Sequence, residues 1–338
     1  MLEQPQLAET ALVQCLNLAY GLQVRELTFL PLGADAHTAV YRVVTTNDTP
    51  YFLKLRQNHF IPASVPIPSY LHDVGMSQVI PAMRTQTGDL WVWFDPFTAV
   101  LYPYVAGLHG IDRSLSDEQW RKFGATLKTL HTVQFPTAMT ADLPQEQFAP
   151  RWRERLTSFL AQAEAQSTDD PIAAELGALL TTKAAELHAI ITRATALAQR
   201  LQQQSPPFVL CHADCHGWNL LVVDSDRFFL VDWDTLIFAP KERDLMFIGA
   251  GLFGNAHSPA AEAARFYQGY ASNPVNQAAL SYYRYERIIE DIAVSCAEIF
   301  DVATGDADRR QALVYIQSNF LPGSTIALAH QGDDQTIV

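Results

Sequence analysis

His212-Ala213-Asp214-Cys215-His216-Gly217-Trp218-Asn219 sits between two short apolar runs, residues 208–211 before it and 220–223 after it. A third run, 228–231, follows across Asp224-Ser225-Asp226 and ends on Asp232. Short apolar runs separated by such a turn read as strands of a hairpin. The hairpin brings residues 219 and 232 to the same end of a two-stranded unit. One carboxylate, Asp214, thus stands near an amide, Asn219, and a second carboxylate, Asp232. Phosphoryl transfer needs such groups. Asp214 takes or orients the proton of an attacking hydroxyl, and Asn219 and Asp232 supply the hard oxygen ligands that Mg²⁺ prefers.

His-x-Asp-x-x-x-x-Asn, with an acid after the next hairpin, is the spacing of a kinase catalytic loop. His-x-Asp alone is weak; the full constellation is not. Upstream, Tyr51-Phe52-Leu53-Lys54-Leu55 reads as the third strand of a β-rich region, where a kinase keeps the lysine that pairs with the α/β-phosphates. Strand alternation puts Leu53 and Leu55 on one face and Lys54 on the other. Gly33-Ala34-Asp35 lies between the first two strands, where a phosphate-covering loop belongs. It has a single glycine and reads equally well as a hairpin loop. Tyr102, Tyr104 and Val105 mark the passage between lobes that in a kinase gives backbone hydrogen bonds to the base.

The rest of the chain agrees. A helix over 7–20 is followed by strands at 23–30, 38–45 and 51–56. A proline-rich segment allows a helix only at 67–74. Strands then run over 79–85 and 90–104, the second interrupted at Asp95-Pro96. Ser116-Asp117-Glu118-Gln119 is a capping box opening a helix to about 131. Helices are expected over 146–166, 171–203, 242–252, 259–271, 275–300 and 306–318. The fold class is α+β, a bilobal protein-kinase-like architecture. Residues 1–105 form a small β-rich nucleotide-binding lobe. Residues 106–338 form a larger helical lobe, catalytic and substrate-binding, with a helical insert at about 146–203.

Composition fits a folded chain with a sizeable core. Apolar residues make up 49% of the 338, and charged residues only 17%. The net charge of −13 argues against nucleic acid or an anionic membrane as partner; it is compatible with a cationic small ligand, and ordinary solubility is the simpler reading. Four cysteines in this length are not a disulfide framework. With no secretory signal and no long apolar run at the start, the expected location is the cytoplasm.

The chain resembles the aminoglycoside phosphotransferase family, which shares the kinase-like fold with choline kinases, and within it the spectinomycin phosphotransferases. The resemblance rests on Gly33-Ala34-Asp35, Leu71-His72-Asp73, Cys211-His212-Ala213-Asp214 and Val231-Asp232-Trp233-Asp234. It rests also on two longer stretches, residues 239–249 (APKERDLMFIG) and 281–293 (SYYRYERIIEDIA). It implies transfer of phosphate from ATP with Mg²⁺, GTP being an alternative donor, to a hydroxyl of an aminocyclitol or aminoglycoside. Asp214 would be the catalytic aspartate, Asn219 and Asp232 the metal ligands, and Lys54 the phosphate lysine. Asp244 would brace the catalytic loop, with His212 in support.

One departure stands out. Kinases pair the strand lysine with a glutamate on the N-lobe helix, yet no acid occurs from Thr49 through His72. Lys54 must lean on Asp232 and the phosphates, or on another acid such as Asp35. Asp234, two residues past the metal aspartate, is a candidate partner for a substrate ammonium group. Glu286 and Glu290, four apart on one helix face, are either a second cation site or a salt-bridged surface involving Arg287. Cys211 and Cys215 have the wrong spacing for a haem motif and no second Cys/His pair for zinc. The rival functions are a kinase for choline, an amino alcohol or a sugar, and a nucleotide-binding pseudokinase.

Overall fold

The computed structural model describes residues 4–33, 37–57, 60–165, 168–254, 256–271, 274–301 and 304–334. The chain divides into two compact units. One comprises Met1–Gln119, Val133–Leu143 and Trp218–Leu236, and the other Trp120–Thr132, Pro144–Gly217 and Ile237–Val338.

The first unit begins with α1 (Glu9–Tyr20). It stops where Gly21 turns left-handed (φ 70°) and its N–H donates to Asn17 O at 2.8 Å. Then come β1 (Val24–Leu30), β2 (Thr38–Thr45) and β3 (Pro50–Gln57). Thr45 closes the β2–β3 turn by bonding its hydroxyl to Thr49 O at 3.0 Å. A 3₁₀ turn at Pro62–Ser64 leads into α2 (Pro66–Asp73). Its opening prolines need no N–H in the first turn. β4 (Val92–Phe94) and β5 (Phe97–Pro103) complete an antiparallel sheet of order β1-β2-β3-β5-β4. Alternation along β3 buries Leu53 and Leu55 completely. They pack with Tyr41, Val43, Ala99 and Leu101, and with Leu12 and Leu16 of α1. Lys54 lies on the other face, opposite Val40 and Val100.

β6 (Leu108–His109) belongs to the same unit and to a separate small sheet described below. α3 (Asp117–Leu130) starts in this unit with the expected capping box: Gln119 N–H donates to Ser116 Oγ, and Ser116 N–H to Gln119 Oε1. α4 (Thr137–Thr140) is a single turn.

The second unit is helical. α5 (Arg151–Ala165) and α6 (Pro171–Gln204) are the expected long helices. Asp170 caps α6, accepting from Ile172 and Ala173 N–H. β7 (Val209–Cys211) precedes the loop that begins at His212. β8 (Leu220–Val222) and β9 (Phe228–Leu230) are the predicted hairpin and lie in the first unit, where β6 adds to β8. Asp224 Oδ1 accepts from Asp226 and Arg227 N–H and makes their turn. β10 (Ile237–Ala239) pairs antiparallel with β7.

The remaining helices are α7 (Glu242–Leu245), α8 (Pro259–Tyr270), α9 (Gln277–Phe300), α10 (Asp306–Ser318) and α11 (Thr325–Asp334). On α9, Tyr282, Tyr285, Ile289, Ile292, Cys296 and Ile299 recur at alternating steps of three and four, and all are buried. α9 packs against α5, α6, α10 and α11.

Two expectations are corrected. Residues 79–85 form no strand; Pro81 removes a donor in mid-run, and the segment is held by single bonds such as Met83 N–H to Leu101 O at 2.8 Å. The helix expected over 242–252 stops after one turn, because Gly249 and Gly251 adopt φ of 68° and 73°. β6, β10, α4 and α11 went unrecognised; the first three are too short to show a period. No helix among the described residues is long and apolar enough to cross a membrane.

Candidate active site

Residues 212–217, expected to belong to a catalytic loop, are held by tertiary bonds within the second unit. Ala213 holds a left-handed backbone (φ 67°), a costly conformation for a residue with a Cβ. Asp244, fully buried on α7, stabilises it: Oδ1 accepts from Ala213 N–H at 2.6 Å and Oδ2 from His212 N–H at 3.1 Å. His131, at the end of α3, bonds Asp244 Oδ2 through Nε2 at 2.9 Å and Tyr270 through Nδ1 at 2.8 Å. Burial pushes the Asp244 carboxyl up, but its bond to His131 and the loop N–H groups outweigh that and hold it below the usual range. His212 Nδ1 accepts from Asp214 N–H at 3.2 Å, so this ring turns the loop toward Asp214. Both residues expected to support the loop therefore touch it.

The side chain of Asp214 is held from two sides. Arg287 of α9 donates Nη1–H to Oδ1 at 2.6 Å, and His216 Nε2 stands 3.2 Å from the same oxygen. Burial raises this carboxyl, but Arg287 and His216 overcome it and hold it well below the usual carboxylate range. Asp214 is thus ionised at neutral pH. Arg287 also bonds Asp291 Oδ1 at 2.7 Å through Nε. Nothing in the sequence linked Arg287 to Asp214, which stands 73 residues away along the chain.

In the first unit, Val231 N–H donates to Asn219 O at 2.9 Å, so the hairpin sets Asn219 beside the residue preceding Asp232. Asp232 is left-handed too (φ 64°), which turns its carboxylate out of the strand line. The buried Asn219 amide and the half-exposed Asp232 carboxylate are the hard oxygen donors that Mg²⁺ binds, and the pair fits such an ion. Lys54 Nζ donates to Asp232 Oδ1 at 2.6 Å and also binds Asp234. Arg56 Nη1 bonds Asp234 Oδ2 at 2.5 Å. Burial pushes the Lys54 ammonium down, but Asp232 and Asp234 outweigh it and hold the group above its ordinary value. Burial likewise raises Asp234, and Lys54 and Arg56 bring it below the usual range.

The other expected residues are placed as follows. Tyr102 lies opposite Phe52 in the β3–β5 register, β5 stops at Pro103, and Tyr104 N–H beyond it donates to Pro50 O at 3.4 Å; Val105 follows outside the strand. Gly33 has φ 86°. Ala34 and Asp35 lie outside the described residues. Asp234, expected to meet a substrate ammonium, already carries two cations of its own unit. Glu286 is buried and 3.2 Å from Arg153 Nε, and its carboxyl is pushed up by burial to about 7. Glu290 pairs with Arg243 at 3.3 Å. The two glutamates thus have separate arginine partners, and Arg287 turns away to Asp214 and Asp291. Cys211 is a buried thiol with Sγ 3.6 Å from Pro240 O.

A kinase-like sheet, a loop aspartate held ionised, and an amide–carboxylate pair at one hairpin end define a phosphotransferase that acts on a hydroxyl group. The family described as "Phosphotransferase enzyme family" matches residues 28–283, and the chain belongs to that family. Among curated proteins, StrN of Streptomyces griseus is 26% identical over 253 residues, covering 72% of this chain and 75% of StrN. Among solved structures, spectinomycin phosphotransferase APH(9)-Ia in complex with ADP and spectinomycin superposes with a TM-score of 0.89. It is 30% identical, over 98% of this chain and 99% of that one. The AMP-bound complex of APH(9)-Ia gives a TM-score of 0.84 at 29% identity, over 96% and 99%.

Proposed function

We propose that the chain transfers the γ-phosphoryl of ATP, with Mg²⁺, to a hydroxyl of a cationic aminocyclitol or aminoglycoside of the spectinomycin type. The observation that carries the chemistry is Asp214, held ionised by Arg287 and His216 on a loop braced by Asp244. The acceptor class is supported by the 30% identity to a spectinomycin phosphotransferase over nearly the whole chain, and by the net charge of −13.

Asp214 accepts a hydrogen bond from the acceptor hydroxyl and aims its lone pair at the γ-phosphorus. So acidic a carboxyl is a weak base, so the proton leaves late, once the oxygen–phosphorus bond is largely formed. That bond forms as the bond from phosphorus to the β,γ-bridging oxygen breaks; the electron pair leaves with ADP, and the hydroxyl proton passes to Asp214. Lys54 holds the α/β-phosphates, with Tyr102, Tyr104, Val105 and the Gly33-Ala34-Asp35 loop on the nucleotide side. Asn219 and Asp232 would hold Mg²⁺, which neutralises charge on the phosphates. Residues 1–105 serve the nucleotide, and 106–338, with the 146–203 insert, serve catalysis and the acceptor. The same reaction with GTP in place of ATP is read out by comparing the two donors.

The test is mass spectrometry of spectinomycin incubated with the purified chain and MgATP. A gain of one phosphate, absent with Asp214→Asn, is the expected result. No gain on spectinomycin removes that acceptor and directs the same assay to other aminoglycosides, choline, amino alcohols and sugars. No transfer to any of them, with nucleotide bound, identifies a binding module.

A further inference from the structure

A lysine on a flexible four-carbon stem is useful to a phosphate only if something fixes its ammonium. In this chain the helix of the sheet unit offers no carboxylate for that. Among the described residues α2 carries no acid before Asp73, whose side chain is 76% exposed and beside His72. Lys54 nevertheless has two carboxylates within bonding distance, and they differ. Asp234 is 13% exposed and is shared with Arg56, itself 17% exposed. Asp232 is 46% exposed and meets Lys54 through Oδ1 at 2.6 Å.

We propose that Asp234, clamped by Arg56, is the fixed counter-ion that positions Lys54 for the nucleotide phosphates, and that Asp232 is the partner Lys54 gives up when nucleotide binds. This rests on the nucleotide reading of Lys54 and assigns to Asp234 the task of the missing helix glutamate. Two features of the geometry favour it. Lys54 and Arg56 are two residues apart on β3 and so project from one face of the sheet, and a single carboxylate between them is tied to a rigid strand at two points. The charges also match the task. Lys54, Arg56, Asp232 and Asp234 together are neutral, which keeps the group stable without ligand. Once Asp232 turns to a cation, Lys54, Arg56 and Asp234 keep one net positive charge facing the phosphates. Asp234 does not then serve the acceptor's ammonium, which would be a third cation on a carboxylate whose Oδ2 already carries two.

The experiment measures MgADP binding by isothermal titration calorimetry on the full chain, together with the KM for spectinomycin. Asp234→Asn should weaken MgADP about tenfold or more, the loss of one charge-assisted hydrogen bond. Asp234→Glu should recover most of that affinity. Lys54→Met should weaken MgADP by a similar factor, and the Lys54→Met/Asp234→Asn pair should be no worse than Lys54→Met alone, since Asp234 acts only through Lys54. The spectinomycin KM should stay within about twofold. Unchanged MgADP affinity in Asp234→Asn, additive losses in the pair, or a shift confined to the spectinomycin KM each overturns the proposal. Unchanged affinity in Lys54→Met is a different result: it removes the nucleotide reading of Lys54 itself. If Asp234→Asn lacks the native circular dichroism spectrum, Arg56→Gln replaces it. Loosening the clamp should weaken MgADP about threefold, and no change there overturns the proposal.

Discussion

Arg287→Gln removes the cation that joins Asp214 to Asp291. The guanidinium reaches Asp214 Oδ1 at 2.6 Å and Asp291 Oδ1 at 2.7 Å. Breaking a buried ion pair costs about 3–5 kcal/mol, mostly because a charge is left behind. Here the Arg287 and Asp214 side chains are 23% and 15% exposed, and water offsets part of that. The expected loss is about 2–3 kcal/mol, or roughly 3–4 °C in Tm for a chain of this size. The sign with pH follows from the two carboxyls. Asp214 is held well below its unfolded value, so its contribution is present above the unfolded pKa and lost as pH falls through the folded one. Asp291 is held above its unfolded value by burial, so without Arg287 its ionisation costs more as pH rises. The Asp291 effect makes the deficit of the variant larger at pH 8 than near pH 4, whereas the Asp214 contribution is already nearly complete at pH 4 and falls away only below it. Differential scanning calorimetry across that range measures it. A Tm deficit that is absent, or the same at both ends of the range, refutes the reasoning. Arg287→Lys should restore only part of the loss, since one ammonium cannot serve two carboxylates as a planar fork does.

Asp214→Asn should lower kcat by about 10²- to 10⁴-fold with MgADP binding kept, read by steady-state assay and calorimetry. Asp244→Asn replaces a carboxylate whose two oxygens accept from His212, Ala213 and His131 by an amide with one acceptor oxygen. It should destabilise the chain by about 2–3 kcal/mol in urea and lower kcat, since Ala213 loses the bond that holds its left-handed turn. Gly269→Ala places a Cβ 1.8 Å from Arg121 O, where α8 crosses α3, and should cost about 3 kcal/mol or more. Gly177→Ala, with nothing within 4 Å inside α6, should instead raise stability by about 0.5–1 kcal/mol in the same denaturant titration.

Local signals carried the sequence a long way. Hairpins at Thr46–Pro50 and Asp224–Asp226, the capping box at Ser116–Gln119 and the helix expected over 275–300 are each set by contacts within a few residues, and each formed as expected. The spacing from His212 to Asn219 and on to Asp232 was legible because hairpin geometry follows from turn and strand length. Where the local signal was ambiguous the expectation failed: Pro81 and the Gly249–Gly251 pair overrode the apolar runs around them.

Charge pairing is another matter. Lys54 and Asp234 are 180 residues apart, and Arg287 and Asp214 are 73 apart. A carboxylate has no sequence mark that says which cation it will meet, because Coulomb attraction depends on separation in space and on burial. The sequence therefore determined the main sheet, the long helices, the hairpin that joins residue 219 to residue 232, and the class of reaction. Which arginine holds Asp214, and which aspartates share Lys54, was decided only when the folded backbone brought distant strands and helices within bonding distance.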